Sequence, residues 1–378
     1  MSSIPAQVWA HILPCPTLSV THFLRFPFPS QLPKSSTKQD LRTFWSSKKP
    51  NVLEFTAETL KDLPIPSAAV LSALISTAHT FNHESSSIVY AHLPNQLHFY
   101  YPPWFLDYWI TVSSLREHVK VPWMQAELFL SANGAKWHSS EFRRLCQSAQ
   151  NALLCLPWCG NVHGFADNAP TVTLASYLSR NWLSTTHINQ QLDLLRQELS
   201  RVGNQEYEIL GPDFFTKVRW LYRDRAGNPY PASGNRLIRE VGHDLAKGTR
   251  KIICGVANIN ENHWVGIVVD GTECKIKFGN SLGGSGAELK AAIRWWIQIH
   301  TSLDFEDANL DITRQSDAFN CGLFALNAVE HFTHPNTKPL LHYSASPAPY
   351  NEDRLSRFLK ICNQDLEMVC LPSRLCLF

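Results

Sequence analysis

Three consecutive apolar segments, KIICGVANI, HWVGIVVD and ECKIKFG, restrict this chain more than anything else in it. Each is short and rich in β-branched residues, so they read as strands, the first of the buried kind. Asp270–Gly271 joins the second to the third, a strong hairpin signal. In an antiparallel pair closed there, His263 stands opposite Asn280, or within two positions of it, at the open end of the hairpin. An asparagine oxygen at that range can accept from an imidazole N–H and fix its tautomer. A purely structural His–Asn hydrogen bond is the plainer alternative.

The stretch continues through a glycine-rich turn (Gly283 to Gly286) into the helical pattern AELKAAIRWWIQIH, then a last strand leading through Gln315 to Cys321. CGLFALNAVEHF is apolar nearly all round, so a buried helix is expected with Cys321 at its N-terminal end. Unpaired backbone N–H groups and the helix dipole there favour a thiolate. The plainer reading is a small buried hydrophobe. Gln315, six residues upstream, carries amide donors that can reach an oxygen turning negative during acyl transfer.

Composition sets the frame. The chain has 378 residues, 44% hydrophobic and 17% charged, enough for a sizeable core and one large or two ordinary domains. A net charge of +2 and a pI near 8.0 give no nucleic-acid footprint. MSSIPAQVWAHILPCPTLSV lacks a basic start and is broken by prolines, a poor signal peptide. No apolar run is long enough for a membrane span. The ten irregularly spaced cysteines read as reduced thiols of an intracellular protein, nuclear or cytoplasmic.

Ahead of the strands, prolines at 27, 29, 33, 50, 64 and 66 limit the first segments to short pieces, with KSSTK (34–38) as an exposed linker. Ser67 caps the helical run AAVLSALISTAHTF, followed by strands IVYAHL and LHFYY with a turn at Asn95. Helices are expected over WFLDYWITVSSLREHV, from Pro122, and over SSEFRRLCQSAQNALLCL. Trp104, Tyr108, Trp109 and Trp123 make an aromatic stripe whose spacing favours core packing over a base-stacking platform. Cys155, Cys159 and His163 have ligand-like spacing but lack a fourth partner nearby, so no metal is assigned. After a boundary at about Gly160–Pro170, helical patterns run to Gly203 and over DFFTKVRWLYRD, with a glycine-broken one over NRLIREVGHDLAKG.

NHW at 262–264, GNSL at 279–282 and Q-x5-C-G at 315–322 together resemble the cysteine proteases that process SUMO and related ubiquitin-like proteins, a clan including the adenoviral protease. NWLSTTHINQQLDLL and FFTKVRWLY are similar to further family segments, so the resemblance spans about residues 170 to 335. With the WFLDYW…PW region, the look is nearest to versions carried by fungal mobile elements. The resemblance implies Cys321 as nucleophile, His263 as base, Asn280 as its orienter and Gln315 as oxyanion donor. Trp182 and Trp264 match the tryptophans that clamp the substrate's Gly-Gly tail, which only glycine backbone is thin enough to follow. Two departures stand out: Asn280 replaces the usual Asp, lending the imidazolium no charge, and Asn320 precedes the cysteine where Asp is common.

The expected architecture is an α+β, papain-like-clan protease fold over residues 166–365, with a central mixed sheet and helices. A mainly helical domain of unknown function (1–165) precedes it and a tail (366–378) follows. The expected reaction is cleavage after the Gly-Gly of SUMO or another ubiquitin-like protein and its conjugates, without cofactor, metal or membrane, and with no nucleic acid indicated. The alternatives are a weakened pseudoprotease that binds ubiquitin-like proteins, and an acyltransferase or mobile-element accessory protein.

Overall fold

In the computed structural model the three apolar segments become neighbouring strands of one sheet. The structure describes residues 4–32, 44–51, 55–81, 87–90, 99–134, 139–227, 230, 235–344 and 348–375. The linker expected at 34–38 and the turn at Asn95 lie outside them. The chain divides into two units, residues 1–128 with 150–160, and 129–149 with 161–378. Among the described residues, no helix is long and apolar enough to cross a membrane.

The first unit begins with short elements, as its prolines require: helices α1 (Ala6–Ile12) and α2 (Val20–Leu24), strand β1 (Trp45–Ser46) and helix α3 (Ala57–Leu60). Helix α4 (Ala68–Phe81) and strands β2 (Ser87–Tyr90) and β3 (Phe99–Tyr101) follow, and β1-β2-β3 pair antiparallel. Helix α5 (Phe105–Leu115) runs through a π-helical turn (Arg116–Lys120) directly into α6 (Val121–Gly134). The two helices expected there are thus one helical stretch, the wider turn accommodating Pro122, which has no N–H to donate. Trp104, Tyr108, Trp109 and Trp123 are all buried, so the aromatic stripe is core. Helix α7 (Ser140–Cys155) is capped by the Ser139 hydroxyl, which accepts from the Phe142 N–H at 2.9 Å.

In the second unit a 3-10 helical stretch (Thr171–Leu178) leads to α8 (Thr185–Arg201), β4 (Tyr207–Leu210), α9 (Pro212–Arg223) and α10 (Arg236–Lys247). Strands β5 (Ile252–Ile259), β6 (His263–Asp270) and β7 (Lys275–Gly279) come next, then α11 (Ala287–His300), β8 (Glu306–Asn309), α12 (Cys321–Thr333) and α13 (Ala348–Leu375). The sheet order is β4-β5-β6-β7-β8, antiparallel inside and parallel at both edges, a mixed sheet in an α+β domain. β8 stops at Asn309, so Gln315 sits in irregular chain and not on a strand.

All of β6 is buried, which is why its sequence does not alternate. Val265, Ile267 and Val269 enter a core with Phe215 and Val218 of α9 and Ile293 and Trp296 of α11. The other face meets α12. Gly266 allows this: a Cβ there would stand 2.9 Å from Leu310 and 3.4 Å from the Ala325 carbonyl oxygen. Gly242 does not break α10. A Cβ at that position would lie 2.3 Å from the His300 ring, so the glycine makes room for a neighbouring helix.

The hairpin register departs from the tight turn expected at Asp270–Gly271. Gly266 pairs with Gly279 and Asp270 with Lys275, leaving Gly271 to Cys274 as a longer turn. Asp270 builds that turn, its Oδ1 accepting from the N–H groups of Thr272 and Glu273, each at 3.0 Å. His263 and Asn280 therefore sit diagonally, beyond the end of the ladder, and not directly opposite.

Candidate active site

The diagonal placement still joins the two side chains. His263 opens β6 just after Asn260 and Glu261, both with left-handed φ values of 55° and 61°, a tight return from β5. Its Nε2 lies 2.7 Å from Asn280 Oδ1. That oxygen also accepts the Leu282 N–H at 3.0 Å, and a backbone N–H can only donate. The asparagine's orientation is thereby fixed, Nε2 must carry a proton, and the Nδ1 lone pair is left to act as a base.

Cys321 is the first residue of α12 and only 2% exposed. Its thiol meets the backbone of Trp264, the residue after His263, so the helix start and the head of β6 share one site. The helix start does not by itself make this thiol acidic, as position alone had suggested. Burial pushes it above its ordinary range and the Asp317 carboxylate adds to this, against hydrogen bonding with the backbone of Trp264, Gly322 and Cys321 itself. In the resting state the thiol depends on a base.

Gln315 is clamped from three sides. Its Oε1 accepts the Ser281 hydroxyl at 2.6 Å, its Nε2 donates to the Asp317 carbonyl at 2.6 Å, and its backbone N–H donates to the Ser281 carbonyl at 3.0 Å. One amide proton of Nε2 remains for another acceptor. Ser281, wholly buried, ties the segment after β7 to the loop before α12 and was not singled out in the sequence. Its place directly after Asn280 was the only signal.

Trp264 is buried and donates from Nε1 to the Leu183 carbonyl at 2.7 Å. The same indole lies where a Cβ on Gly322 would come within 3.1 Å of its Cδ1, so α12 starts hard against it. Trp182, beside Leu183, is 48% exposed. A cavity of about 420 Å³ opens next to His263 and Asn280, walled by Arg219, Asn262, Leu282 and the turn Gly283–Gly286.

The Cys155, Cys159 and His163 set does not converge on a metal. His163 Nδ1 and its backbone N–H are turned to Asp365 Oδ1, at 2.8 and 2.7 Å, and no cluster of His, Cys, Asp or Glu able to hold a metal exists among the described residues.

Residues 181–342 match the Ulp1 protease family, C-terminal catalytic domain. No curated protein matches the chain. Among solved structures, the C-terminal Ulp1 protease domain in complex with SMT3, the yeast ortholog of SUMO, is 13% identical over 64% of this chain and 95% of its own, with a TM-score of 0.42. The Chaetomium thermophilum Ulp1-like SUMO protease catalytic domain is 17% identical over 61% and 91%, with a TM-score of 0.41. The Xanthomonas campestris effector XopD bound to ubiquitin is 18% identical over 47% and 91%, with a TM-score of 0.32. The match over residues 181–342 assigns that segment: it carries a cysteine protease domain of the Ulp1 type.

Proposed function

We propose that the domain, centred on residues 166–365, hydrolyses the amide or isopeptide bond that follows the C-terminal Gly-Gly of SUMO or a related ubiquitin-like protein. The observation that carries this reading is the His263 Nε2 to Asn280 Oδ1 contact of 2.7 Å, with its tautomer fixed, one residue from the backbone that meets the Cys321 thiol. His263 Nδ1 takes the thiol proton as Sγ attacks the glycine carbonyl. The oxygen that becomes negative is received by the Cys321 N–H and the remaining Gln315 amide proton. The C–N bond then breaks, His263 passes its proton to the leaving amine, and water hydrolyses the thioester to free the carboxylate and restore the thiol. Trp264 and Trp182 take the Gly-Gly backbone between their indole faces. The named partners of family neighbours, SMT3 and ubiquitin, support the substrate class. Nuclear or cytoplasmic residence, supported by the reduced thiols and the resemblance, and a mobile-element origin, supported by the resemblance, belong to this proposal.

A SUMO probe ending in Gly-Gly with a C-terminal electrophile tests it. Covalent labelling is expected and is lost in Cys321→Ser; a folded protein that no SUMO or ubiquitin probe labels would be a binding module instead, the reading that Asn280 and the buried thiol favour. Asn280→Asp is expected to raise kcat/KM up to about tenfold, the equivalent of about 1.4 kcal/mol of added charge stabilisation on the imidazolium. An unchanged or lower rate would remove Asn280 from the orienting role.

A further inference from the structure

The loop that delivers Cys321 is held by a chain of polar groups, half-buried at one end and wholly buried at the other, that the reaction above does not use. Asp317 Oδ1 accepts the N–H groups of Phe319 and Asn320, each at 2.9 Å, and its Oδ2 accepts from Asn320 Nδ2 at 2.8 Å. On its other side Asn320 Oδ1 accepts from Arg354 Nη1 at 2.8 Å. Arg354 comes from α13 and is wholly buried, and Asn320 is 1% exposed. The rest of the guanidinium donates to carbonyls: Nε to Tyr177 at 3.1 Å, Nη2 to Ser176 at 2.5 Å and to Asn181 at 2.7 Å. All four acceptors are neutral, so the nearest carboxylate on this chain of bonds is reached only through the Asn320 amide.

This arrangement gives a reason for asparagine ahead of the cysteine. A carboxylate can only accept and a guanidinium can only donate, so the amide between them has one orientation. An aspartate at 320 would satisfy Arg354 but set a second carboxylate oxygen, on a buried residue, about 2.8 Å from the half-buried Asp317 Oδ2. Two such groups cannot both ionise without cost. Arg354 meanwhile grips the carbonyls of residues 176, 177 and 181, the chain leading to Trp182 and to Leu183, which receives the Trp264 indole.

We propose that Asn320 and Arg354 are positioning residues of the proteolytic site: the Asn320 amide links the Asp317 carboxylate to the Arg354 guanidinium, and through it Arg354 fixes the start of the nucleophile's helix to the segment bearing Trp182. The proposal rests on Cys321 being the nucleophile. The charged and titratable groups gathered here are Asp317 in the loop, His263 on β6 and Arg354 on α13. Of these, the Asp317 carboxylate is the one that works against thiolate formation.

The test is the pH dependence of iodoacetamide alkylation at Cys321, followed by peptide mass spectrometry in the full chain, which reads the thiol and not turnover. Asn320→Asp is expected to raise the ionisation midpoint by about one pH unit, a tenfold loss of thiolate near neutrality. The exchanged pair Asp317→Asn with Asn320→Asp restores a single carboxylate on the link and is expected to bring the midpoint most of the way back. Asp317→Asn alone is expected to lower it. An unmoved midpoint in Asn320→Asp, or an exchanged pair no better than it, overturns the proposal. Should Asn320→Asp fail to fold by circular dichroism, Asp317→Asn decides, and a midpoint that stays or rises is the refuting outcome. A site that no SUMO probe labels would still give these alkylation curves, so failure of the protease reading is seen separately.

Discussion

His263→Ala is expected to lower kcat/KM on a Gly-Gly-terminated substrate by about 10²- to 10⁴-fold, the span a positioned general base supplies. The structure makes the dependence steep. Burial and Asp317 hold the Cys321 thiol above its ordinary range, so without the imidazole it stays protonated at neutral pH. Later in the cycle no group would return a proton to the leaving amine. The sign of the pH response separates this from a folding defect. The variant's residual rate should climb about tenfold per pH unit towards alkaline pH as the thiol ionises unaided, a slope that wild type, with its base in place, should not show. His263 lies at the head of β6 beside the cavity and not among the apolar side chains that pack round Val265 and Ile267, so thermal stability should fall little. A residual rate within tenfold of wild type at pH 7, or a flat alkaline profile, would remove His263 from the base role.

The largest stability effect is expected at Arg357. Its side chain is 2% exposed and donates from Nη1 and Nη2 to the two carboxylate oxygens of Glu330 at 2.9 and 2.7 Å. Nε reaches Asp353 at 2.7 Å and Nη1 also reaches Gln191 Oε1 at 3.2 Å. One guanidinium thus ties α13 to α12 and α8. Arg357→Met leaves Glu330 buried without its partner, a loss of about 3–5 kcal/mol. In a unit of this size that is roughly 6–20 °C in Tm, read by differential scanning calorimetry. Burial tends to raise the Glu330 carboxyl, but Arg357 overcomes this and holds it below its ordinary range. A depressed carboxyl stabilises above its unfolded value, near 4.3, and loses that contribution as pH falls through the folded one. Wild type should therefore lose stability steeply below about pH 4, and Arg357→Met should show a shallower acid limb. Equal acid limbs would mean the pair carries no such weight.

Much of this was legible because it is local. β5, β6 and β7 announce themselves as β-branched runs, and α12 as an apolar stretch opening at Cys321. His263 and Asn280 could be matched by parity: the longer turn moved the register by two residues, which keeps both side chains on one face. What sequence could not show was long-range. α13 carries charges every few residues, as a solvated face does, yet buries two arginines whose partners lie as far as 178 and 166 residues away. Gly242 looked like a break because its reason, the His300 ring, comes from another helix. Gln315 looked like the approach to a strand end, and only Ser281 explains why a loop holds it still.

Gly266 has a consequence for how this site keeps its dimensions. At Gly266 the strand has no side chain of its own and lies against the Ala325 carbonyl of α12 and the Leu310 side chain. At that point the spacing between the strand that opens with His263 and the helix that opens with Cys321 is set in part by peptide, which has no rotamers to sample. A single methyl group on the strand at Gly266 would change it at once.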